Sequence, residues 1–259
     1  MAFFSAAIGS AVIDGVALIG GAAAIVGSGV VARRAVIRRR YGGMARLANT
    51  IPINSAYWRE QHRRDGELLY VALGDSAAQG IGASRPDHSY VGLLARDIRE
   101  QSGRTVRVAN LSQSGARLRE ALEKQLPVLA TLTPDIVTVA IGANDIAGFE
   151  AERFEREIRM LFAALPAQAI VADMPSFYLG RAEQRARAAN RILRAVAREF
   201  GLTVAPLYRV TRRRSAAHTA LRDVAADFFH PNDRGYTVWA SAFEPLVVAA
   251  VARLELPKG

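Results

Sequence analysis

Four short stretches of this chain carry groups suited to nucleophilic chemistry. They are Gly74-Asp75-Ser76, the run Asn110-Leu111-Ser112-Gln113-Ser114-Gly115, Gly142-Ala143-Asn144-Asp145, and Asp227-Phe228-Phe229-His230. A serine hydroxyl is a poor nucleophile alone and needs a base within hydrogen-bond reach, most often a histidine oriented by a carboxylate. The charge that develops on an attacked carbonyl oxygen needs fixed, uncharged donors, and backbone amides or an asparagine side chain can provide them. The residue types that acyl transfer through a serine ester requires are therefore all present. Singly, each stretch is a weak signal. Most Gly-Asp-Ser tripeptides are ordinary turns or helix caps. Asp227 could cap a final helix or pair with Arg234, and Asn144 could be a turn residue.

These groups need a frame to hold them. Five short runs rich in Val, Ile, Leu and Ala, at Leu68 to Leu73, Val106 to Leu111, Ile136 to Ile141, Ala169 to Ala172 and Leu202 to Ala205, suit strands buried on both faces. Between and after them lie helical patterns at Tyr90 to Gln101, Leu118 to Leu132, Phe154 to Leu165, Gly180 to Phe200 and Gly235 to Leu254. Alternating β and α units predict an α/β fold of three layers, a central parallel sheet between helices. In such sheets the site lies outside the carboxyl ends of the strands. The motifs obey that rule: Ser76 follows the first run, Ser114 and Gly115 the second, and Asn144 the third.

In this order the blocks resemble the SGNH hydrolases, also called the GDSL esterase and lipase family, over roughly Leu68 to Arg253. The first block reads Val71-Ala72-Leu73-Gly74-Asp75-Ser76-Ala77-Ala78-Gln79-Gly80, with Ala77 where the family usually has leucine. The resemblance implies a flavodoxin-like fold with Ser76 as nucleophile, His230 as base and Asp227 as the acid that orients it. It also implies an oxyanion hole made of the Ser76 N–H, the Gly115 N–H and the Asn144 side chain. His62, His88 and His218 have no acid at the family's spacing. Asp75 and Asp145 are expected to brace their loops. Ala77, Ala78, Gly80, Gly82 and Ala83 suggest an uncrowded approach to the serine, with Phe149 and the Met174 to Gly180 segment as candidate walls. Arg85 or Arg181 could meet an anionic substrate. The implied activity is hydrolysis of carboxylic esters of small molecules or lipids, with no metal or organic cofactor. A membrane-associated O-acyltransferase using the same residues is the main alternative. A catalytically silent, membrane-tethered binding protein is a remote one.

The bulk numbers fit one α/β domain with an appendage: 259 residues, 51% hydrophobic. Without cysteine, disulfides, thiolate catalysis and zinc-thiolate sites are excluded. The formal charge of +10 is concentrated: nine arginines between Arg33 and Arg64 face a single acid, Glu60, a local +8. That cluster follows an apolar start in which Asp14 is the one charge before Arg33. The uncharged stretch Gly15 to Ala32 approaches the ~20 residues a membrane span needs. Residues 1–32 thus read as a transmembrane or anchor helix, 33–66 as a basic, irregular juxtamembrane connector, and 67–259 as the catalytic domain. A Gly/Ala-rich hairpin packed on the protein is the alternative for the first segment. Arginines after the span favour a cytoplasmic catalytic domain at the cell membrane. Tyr57-Trp58 could anchor at the interface or form one face of a docking helix. Arg181 to Arg198 reads as a solvated helix face, and no nucleic-acid module is recognisable.

Overall fold

The computed structural model describes Arg38 and residues 41–254; the apolar segment 1–32 and its expected helix lie outside the described residues. Residues 41–48 are helical and lead into α1 (Ile51–Arg63). Then follow β1 (Leu68–Gly74), a one-turn α2 (Ser76–Gln79), α3 (Tyr90–Ser102) and β2 (Val106–Asn110). A helical run over 118–129 (α4) has a π-turn at Ala121–Gln125. It is followed by β3 (Ile136–Ala140), α5 (Ala151–Ala163), β4 (Ile170–Ala172), α6 (Gly180–Glu199) and β5 (Thr203–Ala205). Two short helices, α7 (Leu207–Arg212) and α8 (Ala216–Arg222), precede the long α9 (Asp233–Leu254).

The sheet is parallel throughout, in the order β2-β1-β3-β4-β5. The chain leaves β1 for β2 on one side, then crosses back to place β3 on the other. This is the flavodoxin-like order, and its crevice opens at the carboxyl ends of β1 and β3. β1 is buried at every position because helices cover both faces. Its residues alternate between the layers as a pleat dictates: Leu68, Tyr70 and Ala72 enter the core under α3 and α9, while Leu69, Val71 and Leu73 enter the core under α5 and α6. Tyr90 of α3 stacks on Phe243 of α9 at 5.4 Å between ring centroids. α9 is long and apolar enough to cross a membrane by length and composition, but one face lies in this core, with Tyr236, Phe243, Val247 and Val251 buried.

Part of the connector is ordered rather than irregular. α1 lies on the domain and buries Asn54 and Trp58. The Asn54 Nδ2 and the Trp58 Nε1 both donate to the carbonyl of Gln79, at 2.9 and 3.0 Å. That carbonyl ends α2, so two side chains of the connector satisfy a helix end that would otherwise be orphaned. The aromatic pair Tyr57-Trp58 thus supplies a docking face. Replacing Trp58 with alanine removes a buried indole and one of these bonds. We expect a loss of about 3–5 kcal/mol of stability, read from the denaturant midpoint, with Trp58→Phe falling between the two.

Candidate active site

β1 ends where Gln125, on the π-turn of α4, grips the backbone of Gly74. Its Oε1 accepts from the Gly74 N–H at 2.9 Å and its Nε2 donates to the Gly74 carbonyl at 2.8 Å. The π-turn aims this side chain inward, as such bulges often do near sites. The chain then turns sharply. Asp75 caps α2 by accepting from the Ala77 N–H at 2.9 Å, which leaves Ser76 at the first position of the helix, 6% exposed.

The opposing loop is a compact turn between α8 and α9. Val224 and Pro231 form an antiparallel bridge, the Ala225 N–H donates to the His230 carbonyl at 2.8 Å, and Phe228 takes the left-handed region at φ 57°. The Asn232 Oδ1 accepts from the Arg234 and Gly235 N–H groups at the start of α9. Inside the turn, Asp227 is 2% exposed; its Oδ1 accepts from the Phe229 and His230 N–H groups at 3.0 and 3.1 Å. Its Oδ2 lies 2.6 Å from His230 Nδ1, and His230 Nε2 lies 2.8 Å from Ser76 Oγ. Three residues separated by up to 154 positions therefore form one hydrogen-bonded line. Burial alone would raise the Asp227 carboxyl, but the imidazole and the two backbone N–H groups outweigh it and hold it below its ordinary value. An ionised Asp227 only accepts, so Nδ1 carries the proton and Nε2 is left to accept from the Ser76 hydroxyl.

Ties between the two loops fix that distance. The Tyr236 hydroxyl donates to the Ile81 carbonyl at 2.6 Å. Asp233 accepts from the Ser84 N–H at 2.7 Å and from its hydroxyl at 2.6 Å, while His88 Nδ1 lies 2.9 Å from both Ser84 Oγ and Asp233. His88 meets the serine and the acid through the same nitrogen, so this cluster is a clasp and not a second relay. Gly82, at φ +98°, has no room for a side chain: a Cβ would lie 2.4 Å from the Pro231 carbonyl oxygen.

Asn144 sits in the 3-10 turn Ala143–Gly148, which leaves β3 through Gly142 at φ +105°. Its Nδ2 donates to the Ala116 carbonyl at 2.9 Å and to Asp75 Oδ2 at 3.3 Å, so it reaches the loop beside Gly115 and the residue before Ser76. Gly115 adopts φ +79°, and a Cβ there would meet nothing within 4 Å, so its surface is open. Asp145 turns away to accept from the Leu118 N–H at 3.1 Å. Both aspartates brace loops, as the sequence suggests. Burial is the main influence on each and outweighs its hydrogen bonds, lifting both from 3.8 to about 6. An acid raised in the folded state contributes stability below its unfolded pKa that is lost as pH rises through the folded value. Asp145→Asn keeps an acceptor for Leu118 without the charge. We expect it to match the parent near pH 4 and to exceed it above pH 7 by on the order of 1–3 kcal/mol, measured as denaturation midpoints across pH.

Other expected residues lie elsewhere. His218 Nε2 accepts from Arg214 at 2.7 Å, in α8. Ala77 and Ala78 are buried in the core, and Gly80 packs beside Ser89, so their small size serves close packing of α2. Phe149 packs on Phe154 at 5.5 Å in the core layer of α5 and α6. Arg85 pairs with Asp87 at 2.5 Å. The loop after β4 is pinned by Glu183, which accepts from Ser176 Oγ at 3.1 Å, the Phe177 N–H at 2.9 Å, Arg187 at 3.0 Å and the Tyr208 hydroxyl. Sequence reasoning missed Gln125 and the Ser84–Asp233 clasp, and it gave Asn232, which follows His230 and Pro231 in the fourth block, no role of its own. Only Asn232 left a signal, an asparagine three residues before Gly235 at the start of a helix.

Residues 72–238 match the GDSL-like lipase/acylhydrolase family. A GDSL-like esterase of Mycobacterium tuberculosis, Rv1075c, is 25% identical over 215 residues, covering 77% of this chain and 68% of that protein. Among solved structures, TesA superposes with a TM-score of 0.59 at 21% identity, over 70% of this chain and 99% of its own. The acetylxylan esterase Axe2 of Geobacillus stearothermophilus superposes with a TM-score of 0.56 at 19% identity, over 70% and 94%. At these identities the two structures speak for the fold.

Proposed function

Since this chain belongs to the GDSL-like lipase/acylhydrolase family of ester hydrolases, we propose that it cleaves carboxylic esters through an acyl intermediate on Ser76. The observation that carries this reading is the line Ser76–His230–Asp227 at 2.8 and 2.6 Å. As Ser76 Oγ bonds to the ester carbonyl carbon, its proton passes to His230 Nε2, and the buried Asp227 carboxylate stabilises the imidazolium. The carbonyl π pair moves onto oxygen. The N–H groups of Ser76 and Gly115 and the Asn144 amide are the donors for that charge. Asn144 would turn its longer bond, the one to Asp75 at 3.3 Å, toward the oxyanion and keep the one to Ala116. The carbon–oxygen bond to the alcohol then breaks as His230 returns the proton to the departing oxygen. Water, deprotonated by the same nitrogen, attacks the acyl group and frees the serine.

Nitrophenyl esters of increasing chain length, given to the whole chain and to its Ser76→Ala and His230→Ala variants, test this. Turnover lost in both variants supports the reading, and the best chain length reports the acyl group. A folded chain without serine-dependent turnover would sink it. Adding a sugar or lipid alcohol separates water from a competing acceptor: faster release of nitrophenol with an acylated alcohol as product would identify an O-acyltransferase. The same proposal includes membrane attachment through residues 1–32, with the domain on the cytoplasmic side. The full chain should then stay with membranes through alkaline carbonate extraction, and its release would refute the anchor.

A further inference from the structure

The segments following β4 and β5 carry arginines without ion pairs among the described residues, together with exposed leucines. Leu221 is 83% exposed near the end of α8, and Leu179 is 47% exposed at the start of α6. The segments that carry them are tied together through Tyr178, the residue before Leu179. The Tyr178 hydroxyl lies 2.7 Å from both the Thr211 carbonyl and Thr219 Oγ1, and Arg212 donates to the Tyr178 carbonyl at 3.2 Å beneath its ring. Tyr178 holds φ 66°, and Glu183 fixes the residues before it.

Around this platform Arg209, Arg213 and Arg222 form no ion pair among the described residues. Arg209 and Arg213 border a groove of about 690 Å³ floored by Val204, Pro206 and Tyr208 beside the edge strand β5. Leu221 and Arg222 border a second cleft, of about 490 Å³, that reaches Gly82 and Ser84. Gly82 is itself packed against His230, to whose Cβ a Cβ on Gly82 would come within 3.0 Å, so one residue of this cleft's wall touches the triad's imidazole residue.

Uncompensated arginines ask for an anionic partner. Leucines projecting among them ask for an apolar one. A soluble polyanion satisfies the first demand and gains nothing from the second, whereas an anionic lipid surface meets both at once. We propose that Leu179, Leu221 and the arginines 209, 213 and 222 form a docking face for anionic lipid headgroups, with Leu221 entering the apolar layer. This face would present the Ser76 site to an ester carried by that surface; only this last step rests on the ester-hydrolase reading above.

The chain lacks cysteine, so a single introduced thiol gives a unique label. The full chain carrying Leu221→Cys with a polarity-sensitive dye is titrated with neutral phosphatidylcholine vesicles and with vesicles containing phosphatidylglycerol. A second chain carries the dye at Gln168→Cys, just before β4 at the opposite edge of the sheet. The expected result is a blue shift at position 221 on anionic vesicles alone, with none at 168. Combined Arg209→Gln, Arg213→Gln and Arg222→Gln should weaken that response at least about tenfold. No shift, an equal shift at 168, or a response indifferent to the arginines would overturn the proposal. A shift with dextran sulfate but not with vesicles would overturn it in favour of an acidic polymer. Hydrolysis of a soluble nitrophenyl ester, followed in the same proteins, should be unchanged by the arginine substitutions. If serine-dependent hydrolysis fails while the dye responds, the activity falls and the docking face stands; the converse separates them the other way.

Discussion

Ser76→Ala is expected to reduce ester turnover by at least about 10³-fold while leaving the fold intact. The side chain is small and 6% exposed, and among the described residues its hydroxyl bonds only His230, so alanine adds no clash and strands no buried donor. His230→Ala should cost about as much, and the double variant little more than either, because a nucleophile and its base act as one unit. Asp227→Asn belongs to the same test. An amide at position 227 would present an N–H or an uncharged oxygen where the imidazole now meets a carboxylate at 2.6 Å. Steady-state turnover, with circular dichroism as a folding control, distinguishes this from general damage. Additive losses, each multiplying the last, would mean that the three residues do not act together.

The second large effect concerns Asn144. Its replacement by alanine should lower kcat by about 10²–10³ with a much smaller change in KM, since in the proposed mechanism the amide serves a charge that exists only in the transition state. Asn144→Asp is the sharper probe. It keeps the shape but removes the donor and sets a carboxylate beside Asp75, 3.3 Å away in the parent. That variant should be slower than Asn144→Ala in alkali, where both facing carboxyls ionise, and should recover toward it at lower pH, where burial and like charge make the pair hold a proton. Equal kcat in parent and alanine variant would remove Asn144 from the oxyanion hole.

Much of this was legible in the residues. Val, Ile and Leu runs bounded by Gly74, Asn110 and Gly142 mark strands because only a sheet covered on both faces tolerates such continuity, and β1 is indeed buried from Leu68 to Gly74. The resemblance of the four blocks to the family pointed to Ser76, Asp227 and His230, which the fold brings into one hydrogen-bonded line. What stayed hidden depends on contacts between distant backbones and side chains. Nothing in the sequence says that Trp58 finds the carbonyl of Gln79, or that Gln125 clasps Gly74 across 51 residues. The short α7 and α8 escaped because their arginine-rich sequence has no apolar period to report. The small residues after Ser76 were misleading for a related reason: Ala77 and Ala78 face inward, where a glance at the sequence suggests an open approach.

The distance along the chain between Ser76 and His230, 154 residues, also sets a clock. At about 5–20 residues per second of synthesis, the nucleophile waits on the order of 10 s or more for its partner to be made. The final helix, which stacks on α3 through Phe243 and Tyr90, must dock before the base loop is held. On the proposed mechanism a growing or truncated chain is therefore chemically silent, and regained ester cleavage after dilution from denaturant would report the last step of folding rather than the first.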